Sequence, residues 1–113
     1  MFVSVVNIMI NLIIYDISHN KWKKIISKSK TPPKRCAHFS VIHNDTLIIG
    51  YGCSQSPNEY LDDMWEYNFL MDQWTEIKCS TKPSPRDSCG YVLINNDIYL
   101  LGGSFKNTKK NDL

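Results

Sequence analysis

At 113 residues, 42% hydrophobic and 21% charged, the chain suits one small globular domain and is too apolar for a disordered segment. A formal charge of +2 gives no ground for nucleic-acid binding. Four cysteines over this length are far from a disulfide scaffold, so Cys36, Cys53, Cys79 and Cys89 read as reduced thiols of a cytoplasmic protein.

The first run, MFVSVVNIMINLIIYD, is apolar but has no basic leader and no small-residue cleavage site. It carries Asn7 and Asn11 and reaches Asp16 before the roughly 18 to 20 apolar residues that a membrane span needs. It reads as strand, with no membrane role. The Asn44-Asp45-Thr46 sequon is therefore expected to stay unmodified.

A repeat organises the remainder of the chain. YDISHNKW (Tyr15 to Trp22) and YNFLMDQW (Tyr67 to Trp74) each place Tyr and Trp seven apart, and the two lie 52 positions from one another. Further on, RCAHFSVIHNDTLIIGYG (Arg35 to Gly52) aligns without a gap on RDSCGYVLINNDIYLLGG (Arg86 to Gly103) at an offset of 51. A rival register at 52 matches Pro33 with Pro85 and Gly50 with Gly102; the ungapped one is preferred.

Within each copy the pattern is that of strands. Ile13, Tyr15 and Ile17 alternate with Leu12, Ile14 and Asp16, as Trp65, Tyr67 and Phe69 do with Met64, Glu66 and Asn68. NEYLDDMWEYNFL also fits a helical face through Leu61, Met64, Trp65 and Asn68, but its repeat mate is β-branched. Asn44-Asp45 and Asn95-Asn96 sit between apolar runs, where a tight hairpin wants residues tolerant of positive φ. The polar, proline-bearing stretches after each Trp read as loops.

Four short strands per repeat describe a β-propeller blade. The order of Arg, glycine doublet, Tyr and Trp resembles the kelch repeat, whose marks here are Tyr15, Trp22, Gly52, Tyr67, Trp74, Gly102 and Gly103. The resemblance implies an all-β, partial and unclosed propeller. Residues 1–34 would end a first blade with its Tyr and Trp strands, 35–78 would form a complete blade, and 79–113 would hold a linker and the first half of a third. Asn111-Asp112-Leu113 resembles the start of the next Tyr strand. Such a piece is a fragment of a longer propeller, a truncated product, or a chain that needs self-association to cover its sheet edges.

The first copy departs from the doublet, with Tyr51 where a glycine is expected. Gly50 or Gly52 is then expected to take the positive φ, in a bulge or shifted turn.

Sites of chemistry are sparse. Gly50-Tyr51-Gly52 lacks the third glycine, the Gly-Lys-Ser/Thr and the helix of a phosphate loop, although Pro57 offers a helix start. Cys36, His38, His43, Cys53 and Cys89 are zinc-type ligands without zinc-type spacing; as strand residues Cys36 and His38 share a face that His43 does not. No nucleophile elbow is present, so no catalytic residue, metal or cofactor is assigned. Seven basic residues gather between Lys21 and Arg35, ahead of an acidic group from Glu59 to Glu76, and read as an exposed inter-blade loop rather than a nucleic-acid surface. Thr31-Pro32 and Ser84-Pro85 suit loops as well as proline-directed phosphorylation.

The Tyr and Trp marks are expected to fill the space between neighbouring sheets. By resemblance to kelch proteins whose first-strand arginines contact acidic peptides, Lys34, Arg35 and Arg86 are the expected partner contacts. The resulting expectation is a non-catalytic protein-interaction module, a scaffold or substrate-recognition surface. Its alternative is part of an enzyme with a kelch-like propeller, of the galactose oxidase type, whose catalytic groups lie outside this chain.

Overall fold

The computed structural model describes residues 2–6, 11–27, 30–54, 59–106 and 108–109, and every regular element among them is a β-strand. Strands β1 (Phe2–Val6), β2 (Asn11–Asp16) and β3 (Lys21–Ile25) make a first antiparallel sheet. Strands β4 (Phe39–His43), β5 (Thr46–Gly50), β6 (Met64–Asn68) and β7 (Gln73–Ile77) make a four-stranded meander. A hairpin of β8 (Gly90–Ile94) and β9 (Asp97–Leu101) follows, then a short ribbon of β10 (Ser104–Phe105) and β11 (Thr108–Lys109). These sheets do not close into a ring. Pro57 and Asn111 to Leu113 lie outside the described residues.

The first sheet has three strands where two are expected, because Phe2–Val6 pairs back on β2 with Phe2 opposite Tyr15. The stretch that also fits a helix is strand β6, held between β5 and β7. Three lysines of the basic segment, Lys21, Lys23 and Lys24, lie on β3 rather than in a loop. There they charge the free edge of the first sheet, a placement that discourages further strand pairing.

The seven-residue spacing of Tyr and Trp has a direct structural meaning. A four-residue turn joins the strands of each hairpin, so Tyr15 faces Trp22 and Tyr67 faces Trp74 as cross-strand partners. Their ring centroids are 4.8 and 5.2 Å apart, close enough for pairing worth about 0.5–1.5 kcal/mol beyond area burial. Asn20 and Asp72, last in each turn, take the positive φ that closes it (52° and 53°). In the tighter turns only the first residue of each pair does so, Asn44 at 54° and Asn95 at 56°.

The repeat offset of 51 is realised in the pairing. Phe39 opposes Gly50 as Gly90 opposes Leu101, and the Cys36–Cys53 bridge recurs as Asp87–Ser104. Ala37 and Ser88 both turn at positive φ (54° and 55°). That turn breaks strand alternation between Cys36 and His38, so the expectation that the two share a strand face does not apply. Backbone bonds stitch one copy to the next, from Gly52 N–H to Arg86 O at 2.9 Å and from Ser88 N–H to Ala37 O at 3.0 Å.

Cross-strand pairing places Leu47, Tyr67 and Trp74 on one face of the meander, with Ile49 and Trp65 alongside. These five, with Leu12 of the first sheet, are the buried core, and Ile25 and Phe69 pack against it. Fully burying one such side chain stabilises by about 1.5–3 kcal/mol. The opposite face meets the next hairpin, where the rings of Phe39 and Tyr91 are 5.9 Å apart.

Gly52 takes the expected positive φ, at 90°, but Tyr51 takes the left-handed conformation as well, at 60° where the second copy has Gly102 at 69°, so the turn keeps its register instead of shifting. A non-glycine residue there costs about 1–2 kcal/mol. Burial of its ring and a hydrogen bond from its hydroxyl to Pro83 O (2.9 Å) offset that cost. Gly50 serves packing instead, since a Cβ there would lie 2.7 Å from the Phe39 ring.

Candidate partner-binding surface

One end of the sheets is built by the segments entering β4 and β8 and by the turns leaving β5 and β9. Arg35 and Arg86, expected to face a partner, are buried at 3% and 4% exposure. Arg35 donates from Nε to Pro33 O (3.2 Å) and from Nη1 to Tyr51 O (3.2 Å). Its fork grips the Asp63 carboxylate at 2.9 and 2.8 Å. The bidentate acid that Arg35 was expected to find on a partner is thus supplied from within the chain. Arg86 repeats the backbone contacts, from Nε to Ser84 O at 3.1 Å and from Nη1 to Gly102 O at 3.2 Å, and its Nη2 reaches Ser84 Oγ at 3.0 Å.

The chemistry explains the placement. Each guanidinium binds the carbonyl of the first residue of a left-handed pair, Tyr51-Gly52 or Gly102-Gly103, which aims that oxygen inward. Arg35 gives the buried Tyr51 carbonyl its side-chain donor, whereas Gly102 O also faces the Cys89 thiol at 3.5 Å. Burial alone would raise the Asp63 carboxyl, but hydrogen bonds from Arg35 and from Trp65 Nε1 (2.8 Å) hold it below the usual carboxylate range. Burial, with Arg35 close by, pushes His38 below the usual imidazole range.

The exposed groups at this end are different ones. Lys34 is exposed, and so is Lys106, whose ammonium sits 5.3 Å from the centroid of the Phe105 ring. Phe105 meets Tyr60 edge-on at 5.0 Å, and Tyr60 is bridged to Cys53. The result is a half-buried aromatic pair with a lysine over one ring, contributed by two segments distant in the chain. Sequence reading missed Tyr60, Phe105 and Lys106 because nothing in their spacing joins them. At the opposite end His43 Nε2–H donates to Asn96 Oδ1 at 2.8 Å, tying two hairpin turns together. Among the described residues no three His, Cys, Asp or Glu side chains gather as metal ligands, and no helix is long and apolar enough to cross a membrane.

A four-stranded antiparallel meander whose arginine and glycine contacts recur in the next repeat matches a blade of a kelch-type β-propeller. A family model described as the KLHDC2/KLHL20/DRC7 Kelch-repeats domain matches residues 4–113, and the chain belongs to this kelch-repeat family. It is 26% identical over 95% of its length to a Drosophila melanogaster leucine-zipper-like transcriptional regulator 1 homolog, of which it spans 12%. It is 26% identical over 85% of its length to tip elongation aberrant protein 3 of Schizosaccharomyces pombe, spanning 8% of that protein. Human host cell factor 1 is matched at 26% identity over 80% of the chain, which is 5% of that protein's length. The chain thus spans only a small part of each of these relatives.

Proposed function

We propose that the chain forms part of a non-catalytic protein-binding surface, as a scaffold or substrate-recognition element of the kind an adaptor uses. The observation that carries this reading is the end of the sheets where Lys106 lies over the Phe105 ring of the Tyr60–Phe105 pair, with Lys34 exposed next to Arg35 in the chain. Cations beside partly exposed aromatic rings suit an acidic peptide segment carrying an apolar side chain. Arg35 and Arg86 support that surface from beneath by fixing the turns that carry it.

The test is binding of a fluorescent peptide library, acidic-aromatic against neutral, to the full chain. Acidic peptides should bind preferentially, and Lys34→Glu with Lys106→Glu should weaken them at least tenfold, with a matching loss at high salt. Equal binding of neutral peptides, or no effect of the charge reversals, would reject this surface. Stoichiometric copper or zinc in the purified protein would instead favour an enzymatic parent.

A further inference from the structure

The first left-handed turn also joins two thiols. Cys36 and Cys53 are directly opposed in an antiparallel bridge and exchange both backbone hydrogen bonds, each at 2.9 Å. Pairs of that type hold their Cα atoms about 5.5 Å apart, within the usual range for a disulfide. Their Sγ atoms lie 3.2 Å apart, and both residues are half-buried free thiols. At the same register of the next repeat, Ser104 Oγ–H donates to Asp87 at 2.6 Å. One repeat therefore fastens the start of its first strand to the end of its second by a charge-assisted hydrogen bond. The other places two thiols there, whose mutual hydrogen bond is weak.

We propose that Cys36 and Cys53 are a cross-linking site, closed to a disulfide by exchange with a small-molecule disulfide such as oxidised glutathione. Cys36, once deprotonated, attacks one sulfur of that disulfide, breaks its S–S bond and releases one thiolate. Cys53 then gives up its proton and attacks Cys36 Sγ, which forms the Cys36–Cys53 bond and releases the second thiolate. Two cysteine sulfurs are oxidised, the small disulfide is reduced to two thiols, and the two cysteine protons end on them. Burial first, then the contacts with Cys36 and Asp87, push the Cys53 thiol up to about 12, which disfavours Cys53 as the first attacker. Closure needs the sulfurs to move from 3.2 Å to about 2.05 Å, without strand rearrangement.

The full chain is incubated with oxidised glutathione, quenched with acid, digested and weighed. The expected product is a Cys36–Cys53 link, with exposed Cys79 carrying glutathione instead. Cys53→Ser should trap glutathione on Cys36. Oxidation should raise the folded-to-unfolded ratio of the parent on the order of a hundredfold in urea. It should leave unchanged the double variant Cys36→Asp with Cys53→Ser, which copies the Asp87–Ser104 pair and so keeps the strands fastened. Glutathione retained on Cys36 of the parent with Cys53 free, a link to Cys79 or Cys89, or modification of Cys79 alone would overturn the proposal.

Discussion

Trp22 and Trp74 stand at the same place in two hairpins of the same register, each with its ring tilted against its own cross-strand tyrosine. Trp22 is 63% exposed and Trp74 is 4% exposed. The expectation that both fill the space between sheets therefore holds for Trp74 and not for Trp22. The face of the meander that carries Tyr67 and Trp74 is covered by Leu12 and Ile25 of the first sheet. Among the described residues, no sheet covers the face that carries Tyr15 and Trp22. Local pattern creates the aromatic pair, whereas burial comes from the neighbouring blade, as in any stacked repeat.

The largest expected effect separates the two tryptophans. Trp74→Ala should lower stability by about 3–5 kcal/mol, because it empties part of a closed cluster. Trp22→Ala should cost about 1.5 kcal/mol or less, since mainly the pairing with Tyr15 is lost. Urea denaturation of both variants measures the difference, and equal losses would mean that the face of the first sheet is covered in solution.

The two buried arginines form a second contrast of the same kind. Arg35 has the Asp63 carboxylate in its fork, and Arg86 has Ser84 Oγ at the corresponding nitrogen. Removing one partner of a buried ion pair leaves the other charge uncompensated, so Asp63→Asn should destabilise by about 3 kcal/mol. Ser84→Ala removes one hydrogen bond to a charged group and should cost about 1.5 kcal/mol or less. A Ser84→Ala loss as large as that of Asp63→Asn, measured by the same urea titration, would show that this one hydroxyl contact matters as much as the Arg35–Asp63 ion pair.

Much of this fold is legible in the residues alone, and the reason is specific. Tyr and Trp seven apart translate into a cross-strand pair as soon as the turn between them holds four residues. Arg35 and Arg86 aligned at a constant offset translate into equivalent carbonyl-binding sites. What is not legible depends on contacts between segments distant in the chain. Nothing in the acidic group from Glu59 to Glu76 singles out Asp63 as the partner of Arg35, and the basic group reads as a loop because an edge strand and a loop favour the same lysines. Tyr51 is misread for a different reason. Steric rules assign positive φ to glycine, and the burial and hydrogen bond that offset the strain involve Pro83, 32 residues further on.

The smallest effect concerns His38, whose place in the second copy is taken by Cys89. Its Nδ1 is buried with no hydrogen-bond partner among the described residues. Burial, then the nearby Arg35 charge, lowers its pKa from the ordinary 6.5, so the fold favours the neutral ring. Stability from this group is complete above pH 6.5 and falls as the pH drops from there toward the lower folded value, because the unfolded chain takes up the proton first. Asp63 follows the same sign in a separate window: its contribution is present above the ordinary 3.8 and is lost as the pH falls from there through its depressed folded value. A thiol has no basic form to protonate, so His38→Cys makes the first copy behave like the second. That variant should remove the decline that begins near pH 6.5 and keep the one that begins near pH 3.8. The difference should stay well under the ~1.4 kcal/mol per pH unit that one proton can contribute, because His38 is only partly buried. Urea midpoints measured from pH 7.5 to 3 resolve the two windows, and an unchanged slope between pH 6.5 and 5 in His38→Cys would move the titration to another group.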